Sequence, residues 1–253
     1  TCQVFCPLQP ENILVKEKVE SLIQFKKGAD EDDQELKELE YLLQDAEAAL
    51  LEGPATPFMD VWFADENHGL AIGAFGLILE TNDGGRRWNP IFDRLENVDN
   101  LHYFGIARTG SSLFIVGEGG MLFRSDDQAR TWVKLDSPYE GSFFGIIGDP
   151  NSTLAIAFGL EGKAYRFKNK GDIWEQLKIN SPTSFSGGTV FPDGSIIISA
   201  VSGELFHSSN GGRTFSVLNV RSPGCVAISK FDTGQLVVVG VDGLKRISKT
   251  GVE

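Results

Sequence analysis

Internal repetition restricts the fold of this chain more than any other feature of its sequence. From Phe58 onward, five segments align with one another. Each reads as strand, turn, strand, glycine-containing turn, strand and a loop that closes on an aromatic residue in the first four. The closing aromatic residues are Trp88, Trp132, Trp174 and Phe215, at spacings of 44, 42 and 41 residues. Such a period is typical of four-stranded propeller blades. The sequence therefore predicts an all-β fold, a β-propeller of Asp-box repeats with about five blades visible.

The predicted propeller domain covers residues 55–253. Its blades lie at about 58–93, 101–136, 143–178, 185–220 and 224–253. The second strand of each unit is a short apolar run, such as residues 113–116, which is typical of a strand covered on both faces. Glycines follow this strand because the next hairpin favours a residue that tolerates a positive φ. The last predicted blade lacks its fourth strand.

The first 53 residues show a helical pattern instead. We interpret residues 1–10 as an N-terminal strand or linker and residues 11–53 as an acidic α-helical hairpin. Apolar residues recur at helical spacing in both halves, at Val15, Val19, Leu22 and Ile23 and then at Leu36, Leu39, Leu43, Ala46 and Leu50. We expect this hairpin to dock on the propeller or on a partner.

The charge of the chain excludes some classes of partner. The net charge is −12, and residues 1–55 contribute −8 of it, with 13 acidic and 5 basic side chains. Since no basic stripe is present to neutralise phosphates, we expect no nucleic-acid partner. No stretch approaches the ~20 apolar residues of a spanning helix, so we do not expect an integral membrane protein.

The loop at 81–88, TNDGGRRW, matches the Asp-box pattern S/T-x-D-x-G-x-x-W at every defined position. Three later loops keep parts of it. The box at 125–132 loses the glycine, the box at 208–215 has Asn and Phe for Asp and Trp, and the box at 167–174 keeps Asn, Gly and Trp. The predicted structural residues are Thr81, Asp83, Gly85, Trp88, Ser125, Asp127, Trp132, Asn169, Gly171, Trp174, Ser208, Asn210, Gly212 and Phe215.

These boxes have a physical role that needs no ligand. A short carboxylate or amide can accept hydrogen bonds from backbone N–H groups of its own loop, glycine admits a positive φ, and the aromatic ring packs between strands. The change from Asp to Asn keeps the acceptor and removes the charge, which suits a structural role better than catalysis or calcium binding. The twelve-residue calcium-loop spacing is absent. We therefore predict no metal and no cofactor.

The remaining candidate ligands are scattered. His68, His102 and His207 fall in different predicted blades without paired spacing. Cys2, Cys6 and Cys225 form neither a disulfide framework nor a metal box, and we interpret them as isolated thiols or one incidental disulfide.

Four phrases of the sequence are distinctive: MDVWF at 59–63, AIGAFG at 71–76, TNDGGRRW at 81–88 and SPYEGSFFG at 137–145. Together they resemble the photosystem II stability/assembly factor-like family of BNR/Asp-box propellers. The acidic helical segment at 31–54, before the DVWF blade, is similar to the bacterial non-photosynthetic branch of that family. The resemblance covers about 60–250.

This resemblance implies a propeller of up to seven blades that acts as a chaperone-like scaffold on a nascent membrane complex. For the bacterial branch it implies an exported companion of RND/MMPL-type transporters, in the periplasm or another extracytoplasmic compartment. Since only five blades are visible here, either a strand around 3–5 closes the ring or further blades precede Thr1. We favour the second, because the helical segment of the resembling proteins lies between blades.

Two classes of function remain. The first is a non-catalytic scaffold that binds a membrane protein or transporter complex. The second is a sialidase-like glycoside hydrolase or a carbohydrate-binding propeller, because sialidases also carry Asp boxes. A sialidase needs converging arginines and a nucleophile pair. The arginines here fall largely in or just before the boxes, at 86, 87, 124, 130, 166 and 213, which favours the scaffold and predicts no catalytic residue.

The stretch at 139–144 is the candidate partner surface. Tyr139, Phe143 and Phe144 stand beside glycines at the entry of a blade, where they could present an aromatic patch. The alternative is that Phe143 and Phe144 belong to the core between blades. Ser142 is not interpreted as a nucleophile, because the G-x-S-x-G order is absent.

Overall fold

The computed structural model describes residues 10–26, 34–52, 56–168, 171–231 and 235–248. Helices α1 (Pro10–Lys26) and α2 (Gln34–Glu52) come first. They correspond to the predicted hairpin. The predicted N-terminal strand or linker lies outside the described residues except for Pro10.

The strands form five antiparallel sheets, and each sheet is a meander of consecutive strands. The first holds β1 (Phe58–Phe63), β2 (Gly69–Gly73), β3 (Ile78–Thr81) and β4 (Asn89–Pro90). The second holds β5 (Tyr103–Thr109), β6 (Ser112–Gly117), β7 (Leu122–Ser125) and β8 (Val133–Lys134). The third holds β9 (Phe143–Gly148), β10 (Ala155–Gly159), β11 (Ala164–Lys168) and β12 (Ile173–Gln176). The fourth holds β13 (Phe185–Val190), β14 (Ile196–Ala200), β15 (Glu204–Ser208) and β16 (Ser216–Arg221), and the fifth holds β17 (Ala227–Lys230), β18 (Gln235–Gly240) and β19 (Gly243–Ser248).

The predicted fold class is confirmed. The chain is a mostly β protein, a β-propeller of five antiparallel blades with two helices at its N-terminus. The fifth blade has three strands within the described residues.

The chain divides into two compact units. The first comprises the helices, the first blade and residues 97–100, and the second comprises residues 94–96 and everything from Leu101 onward. In the first unit α1 packs against α2, with Val19 and Leu39 buried. An ion pair adds to this packing, from Lys16 Nζ to Glu47 at 2.9 Å, and a second joins Lys18 Nζ of α1 to Asp93, which follows β4, at 3.2 Å.

In the second unit, the inner strands of consecutive blades are neighbours, in the order β5, β9, β13 and β17. A buried apolar cluster lies between each pair of blades. One cluster contains Phe114 of β6 and Phe143 of β9, the next Phe158 of β10 and Phe206 of β15, and the last Ile197 of β14 and Leu236 of β18. The core of this unit therefore consists of apolar layers between blades, as expected for strands that are covered on both faces.

Glycine sets how closely two of the inner strands approach. A Cβ atom added at Gly105 of β5 would lie 2.9 Å from the Cα of Gly145 on β9 and 3.0 Å from the backbone nitrogen of Ile146. Any side chain at position 105 would therefore push the second and third blades apart.

Candidate functional site

The Asp boxes form hydrogen-bonded loops in which the first residue takes a larger part than the sequence indicated. Thr81 Oγ1 accepts the backbone N–H of Gly85 at 2.9 Å and donates to Asp83 Oδ1 at 3.1 Å. Asp83 Oδ1 accepts the backbone N–H of Arg87 at 2.8 Å. The bonds that Asp83 accepts from Arg87 and Thr81 lower the pKa of its carboxyl, the bond from Arg87 most of all. The hydroxyl and the carboxylate together tie the loop to the end of β3.

The same arrangement recurs in the second and fourth boxes. Ser125 Oγ accepts the backbone N–H of Ala129, and Ser208 Oγ accepts that of Gly212, both at 2.9 Å. In the fourth box Asn210 replaces the carboxylate, and its Oδ1 accepts the N–H of Thr214 at 3.0 Å. An amide oxygen therefore makes the backbone bond that a carboxylate makes in the first two boxes.

The second box keeps the loop shape without glycine. Gly211 and Gly212 of the fourth box have φ of 68° and 81°, and the matching residues of the second box, Gln128 and Ala129, have φ of 62° and 68°. Left-handed backbone is unfavourable for residues that carry a Cβ. The second box therefore holds two strained residues where the fourth box holds glycines.

The third box is described only in part. Asn169 lies outside the described residues, and Gly171 has φ of 96°. The Trp174 ring lies 4.1 Å from that of Phe167 and stacks at 6.2 Å, nearly parallel, on Phe143.

Two of the other closing aromatic rings contact apolar neighbours as well. Trp88 meets Phe63 edge to face at 6.0 Å in the first blade. Phe215 packs against the cluster between the third and fourth blades. Trp132 is half-buried.

Two of the predicted box-flanking arginines link neighbouring blades. Arg166 of β11 donates from Nη1 to the carbonyl of Gly211, in the box of the next blade, at 2.7 Å. Arg124 of β7 lies 3.8 Å from Asp172, in the box of the third blade. Both arginines are therefore engaged at the Asp-box end of the blades. The arginines at 86, 87, 130 and 213 are exposed.

The opposite end of the blades has a repeated feature that the sequence analysis missed. Each linker from the second blade onward contains a Ser-Pro step, at 137–138, 181–182 and 222–223. Ser137 Oγ donates to the carbonyl of Tyr139 at 2.9 Å, and Ser181 Oγ donates to that of Thr183 at 2.7 Å. The 44- and 41-residue spacing of these steps was the available signal.

Loops between the second and third strands lie against these linkers. The backbone N–H of Gly119 donates to Ser142 Oγ at 3.3 Å, and that of Glu161 donates to Ser184 Oγ at 3.1 Å. The Tyr139 hydroxyl donates to the carbonyl of Leu160 at 3.0 Å. Loops and linkers of consecutive blades therefore form one surface.

The predicted aromatic patch is only partly exposed on this surface. The prediction that Phe143 lies on the surface is wrong, since its side chain is fully buried against Tyr139, Tyr165 and Trp174. It belongs to the core between blades, as the alternative interpretation held. Phe144 and Tyr139 are half-buried.

Bulges at the start of β5 and β9 explain this division. In β5 the register shifts between Tyr103 and Gly105, which leaves Phe104 outside the regular ladder. In β9 it shifts between Phe143 and Gly145, which pair with Gly159 and Phe158 of β10, and Phe144 is left out in the same way. A bulge re-aims the side chain of the extra residue. The two rings meet edge to face at 5.6 Å, and the His102 ring lies 5.9 Å from Phe104. Phe104, which the sequence analysis did not select, therefore pairs with Phe144.

We define the linker face as Phe104, Phe144 and the segments 118–121, 135–142 and 160–162. It contains Tyr139 and Phe144 of the predicted partner surface and excludes the ring of Phe143.

Metal and membrane signals are absent from the part of the chain that the structure describes. Within it, His, Cys, Asp and Glu side chains nowhere gather in a group of three that could hold a metal ion. No described helix has the length and apolar character needed to span a bilayer. Cys225 is a buried free thiol, and Cys2 and Cys6 lie outside the described residues.

Comparison with known proteins gives the family. Residues 51–223, more than half of the chain, match the family model described as photosynthesis system II assembly factor YCF48. The photosystem II assembly lipoprotein Ycf48 of Synechococcus sp. (strain CC9902) is 32% identical over 49% of this chain and 38% of its own length. The chloroplastic photosystem II stability/assembly factor HCF136 of Arabidopsis thaliana is 26% identical over 67% of this chain and 40% of its own. The chain thus spans about two-fifths of the length of these curated relatives.

Solved structures agree on the fold. The structure titled "YCF48 bound to D1 peptide" superposes with a TM-score of 0.62 at 22% identity, over 76% of this chain and 63% of that one. YCF48 from Cyanidioschyzon merolae superposes with a TM-score of 0.59 at 23% identity, over 76% of this chain and 67% of that one. From the family match, the chain belongs to the photosynthesis system II assembly factor YCF48 family.

Proposed function

We propose that this chain is a non-catalytic assembly factor whose linker face binds a segment of a membrane-protein partner. The observation that carries the proposal is the Phe104–Phe144 pair, which two bulges turn out of the inner strands at one end of the blades. Aromatic side chains that are partly exposed and held rigidly are typical anchors of protein interfaces. Family membership supports the role, since the relatives named above are assembly factors and one was solved with a D1 peptide.

The scaffold role is favoured over sialidase-like chemistry by the arginines. A sialidase uses several of them to grip a carboxylate, whereas Arg124 and Arg166 here contact the Asp box of the next blade. An assay with a sialoside and an aryl glycoside separates the two functions. Turnover that is abolished by changing a carboxylate near the axis would favour the enzyme.

The finer proposal concerns the partner and the compartment. The acidic hairpin before the first blade resembles the bacterial branch of the family, so we propose a transporter complex of the RND/MMPL type, met in the periplasm or another extracytoplasmic compartment.

Co-purification from cross-linked native membranes tests the proposed function. The matched variants are Phe144→Ser on the linker face and Val133→Ser on β8, where Val133 is 53% exposed. We expect the wild-type chain and Val133→Ser to recover the same membrane protein and folded Phe144→Ser to lose it. Recovery of the chain alone, or equal recovery with both variants, would contradict the proposal.

A further inference from the structure

Carboxylates share the linker face with the aromatic pair. The three segments of this face carry Glu118, Asp136, Glu140 and Glu161 and contain no Lys or Arg, while Lys134 and Lys163 adjoin two of the segments along the chain. Glu118 Oε2 accepts the backbone N–H of His102 at 3.1 Å, two residues before Phe104. One carboxylate is therefore fixed close to the rings.

Glu161 occupies a strained position on this face. It is exposed and has φ of 57°, whereas the matching residue of the second blade is Gly119, with φ of 61°. A residue with a Cβ is disfavoured in left-handed backbone, and such outliers are concentrated at functional sites. The bond from its N–H to Ser184 holds the loop in place. Glycine at position 161 would therefore make the fold more stable than glutamate does.

Tyr139 lies within electrostatic reach of this carboxylate. Its hydroxyl donates to the carbonyl of the neighbouring Leu160. Burial, followed by the negative charge of Glu161, raises the pKa of the Tyr139 hydroxyl. The linker face therefore contains a carboxylate close to an aromatic side chain.

We propose that the linker face binds an extended cationic segment of the partner polypeptide, with a Lys or Arg side chain over the Phe104–Phe144 pair and its charge balanced by Glu118 and Glu161. Cations are attracted to the faces of aromatic rings, and nearby carboxylates add charge complementarity. This inference rests on the proposed function and adds the chemistry of the segment.

Synthetic peptides test the charge preference. The probe is a fluorescein-labelled peptide, GSKLRLKLRLGS, and its control carries Glu at each Lys and Arg position. We expect fluorescence anisotropy to detect binding of the first peptide, weakened by added salt, and much weaker binding of the second. Equal binding of both peptides, or no binding of the cationic one at high micromolar concentration, would overturn the inference.

Variants at Glu161 separate binding from folding. Glu161→Gln is expected to weaken binding of the cationic peptide about threefold, and Glu118→Gln with Glu161→Gln about tenfold, as for exposed ion pairs. Glu161→Gly should weaken binding equally and also raise the urea midpoint of unfolding, because it relieves the strained backbone. Glu66→Gln, an equal charge change in the exposed β1–β2 turn, is the control and should bind as the wild type does. Unchanged binding by both Glu161 variants would overturn the role of this carboxylate.

The inference can fail while the proposed function stands. If co-purification depends on Phe144 but the cross-linked partner segment is acidic or uncharged, the linker face is the docking site and its proposed cation preference is wrong.

Discussion

Thr131 donates both its backbone N–H and its hydroxyl to the carboxylate of Asp127, at 2.9 Å and 2.6 Å. Together with the bond from Ser125 Oγ at 2.9 Å, these donors stabilise the ionised form of the side chain. They lower the pKa of Asp127 to about 2, the Thr131 hydroxyl most of all. In the fourth box, Asn210 Oδ1 and Nδ2 contact the N–H and hydroxyl of Thr214 at 3.0 and 2.8 Å.

This geometry predicts an acid-sensitive contribution of Asp127 to stability. Its folded pKa lies below the ordinary Asp value of about 3.9, so the contribution is present above about pH 4 and is lost as the pH falls to about 2. We expect NMR titration to place the Asp127 carboxyl near 2.

Asp127→Asn is the matched variant, since it reproduces the side chain found in the fourth box. We expect this variant to unfold at nearly the wild-type urea concentration at pH 7 and to lose less stability between pH 4 and pH 2. A titration of Asp127 near 4, or equal acid sensitivity of the two proteins, would contradict the role of the carboxylate.

The left-handed positions of the boxes predict two changes of opposite sign. Gly211→Ala should lower the free energy of unfolding by about 1 kcal/mol, because the backbone has φ of 68°. A Cβ at this position meets no atom within 4 Å, so backbone strain is the expected cause of the loss. Gln128→Gly should raise the free energy of unfolding by a similar amount, because Gln128 is exposed at φ of 62°. Urea unfolding of both variants measures the pair, and shifts of the same sign would refute the argument from backbone strain.

Close approach of the inner strands predicts that Gly105→Ala is destabilising. The added methyl group would stand 2.9 Å from the Gly145 Cα, so the strands must separate, at a cost of about 1–3 kcal/mol. Ser186→Ala, which removes a half-buried hydroxyl on β13 and its long 3.4 Å hydrogen bond with Ser199, is the comparison and should change stability less. Equal urea midpoints for Gly105→Ala and wild type would show that the strands are not so closely packed.

The link from Arg166 to the next blade predicts an effect on stability instead of catalysis. Arg166→Met removes the charged donor to the Gly211 carbonyl together with the ion pair to Glu175 on β12, and should cost about 1–2 kcal/mol in thermal or urea unfolding. The exposed Arg213 supplies the comparison, since Arg213→Met should be nearly neutral. If both variants unfolded alike, neither contact of Arg166, including the link between blades, would contribute to stability.

The repeat was sufficient to predict the fold, because its period and its glycine and aromatic positions are local signals that recur in most of the blades. The sequence alone could not predict that Phe143 is buried while Phe144 is partly exposed. Which of two adjacent phenylalanines faces the core depends on a bulge, and a shift of one residue in register reverses the faces of a strand. The pairing of Arg166 with a carbonyl 45 residues away likewise depends on packing between blades.

Site-specific photo-cross-linking in native membranes tests the binding role of the linker face most directly. Benzoylphenylalanine is placed at Tyr139 on the linker face and, in a second protein, at the exposed Val133 on β8. We expect position 139 to cross-link to a single membrane protein and position 133 to give no such product. Cross-links from position 133 alone, or from neither position, would contradict binding through the linker face.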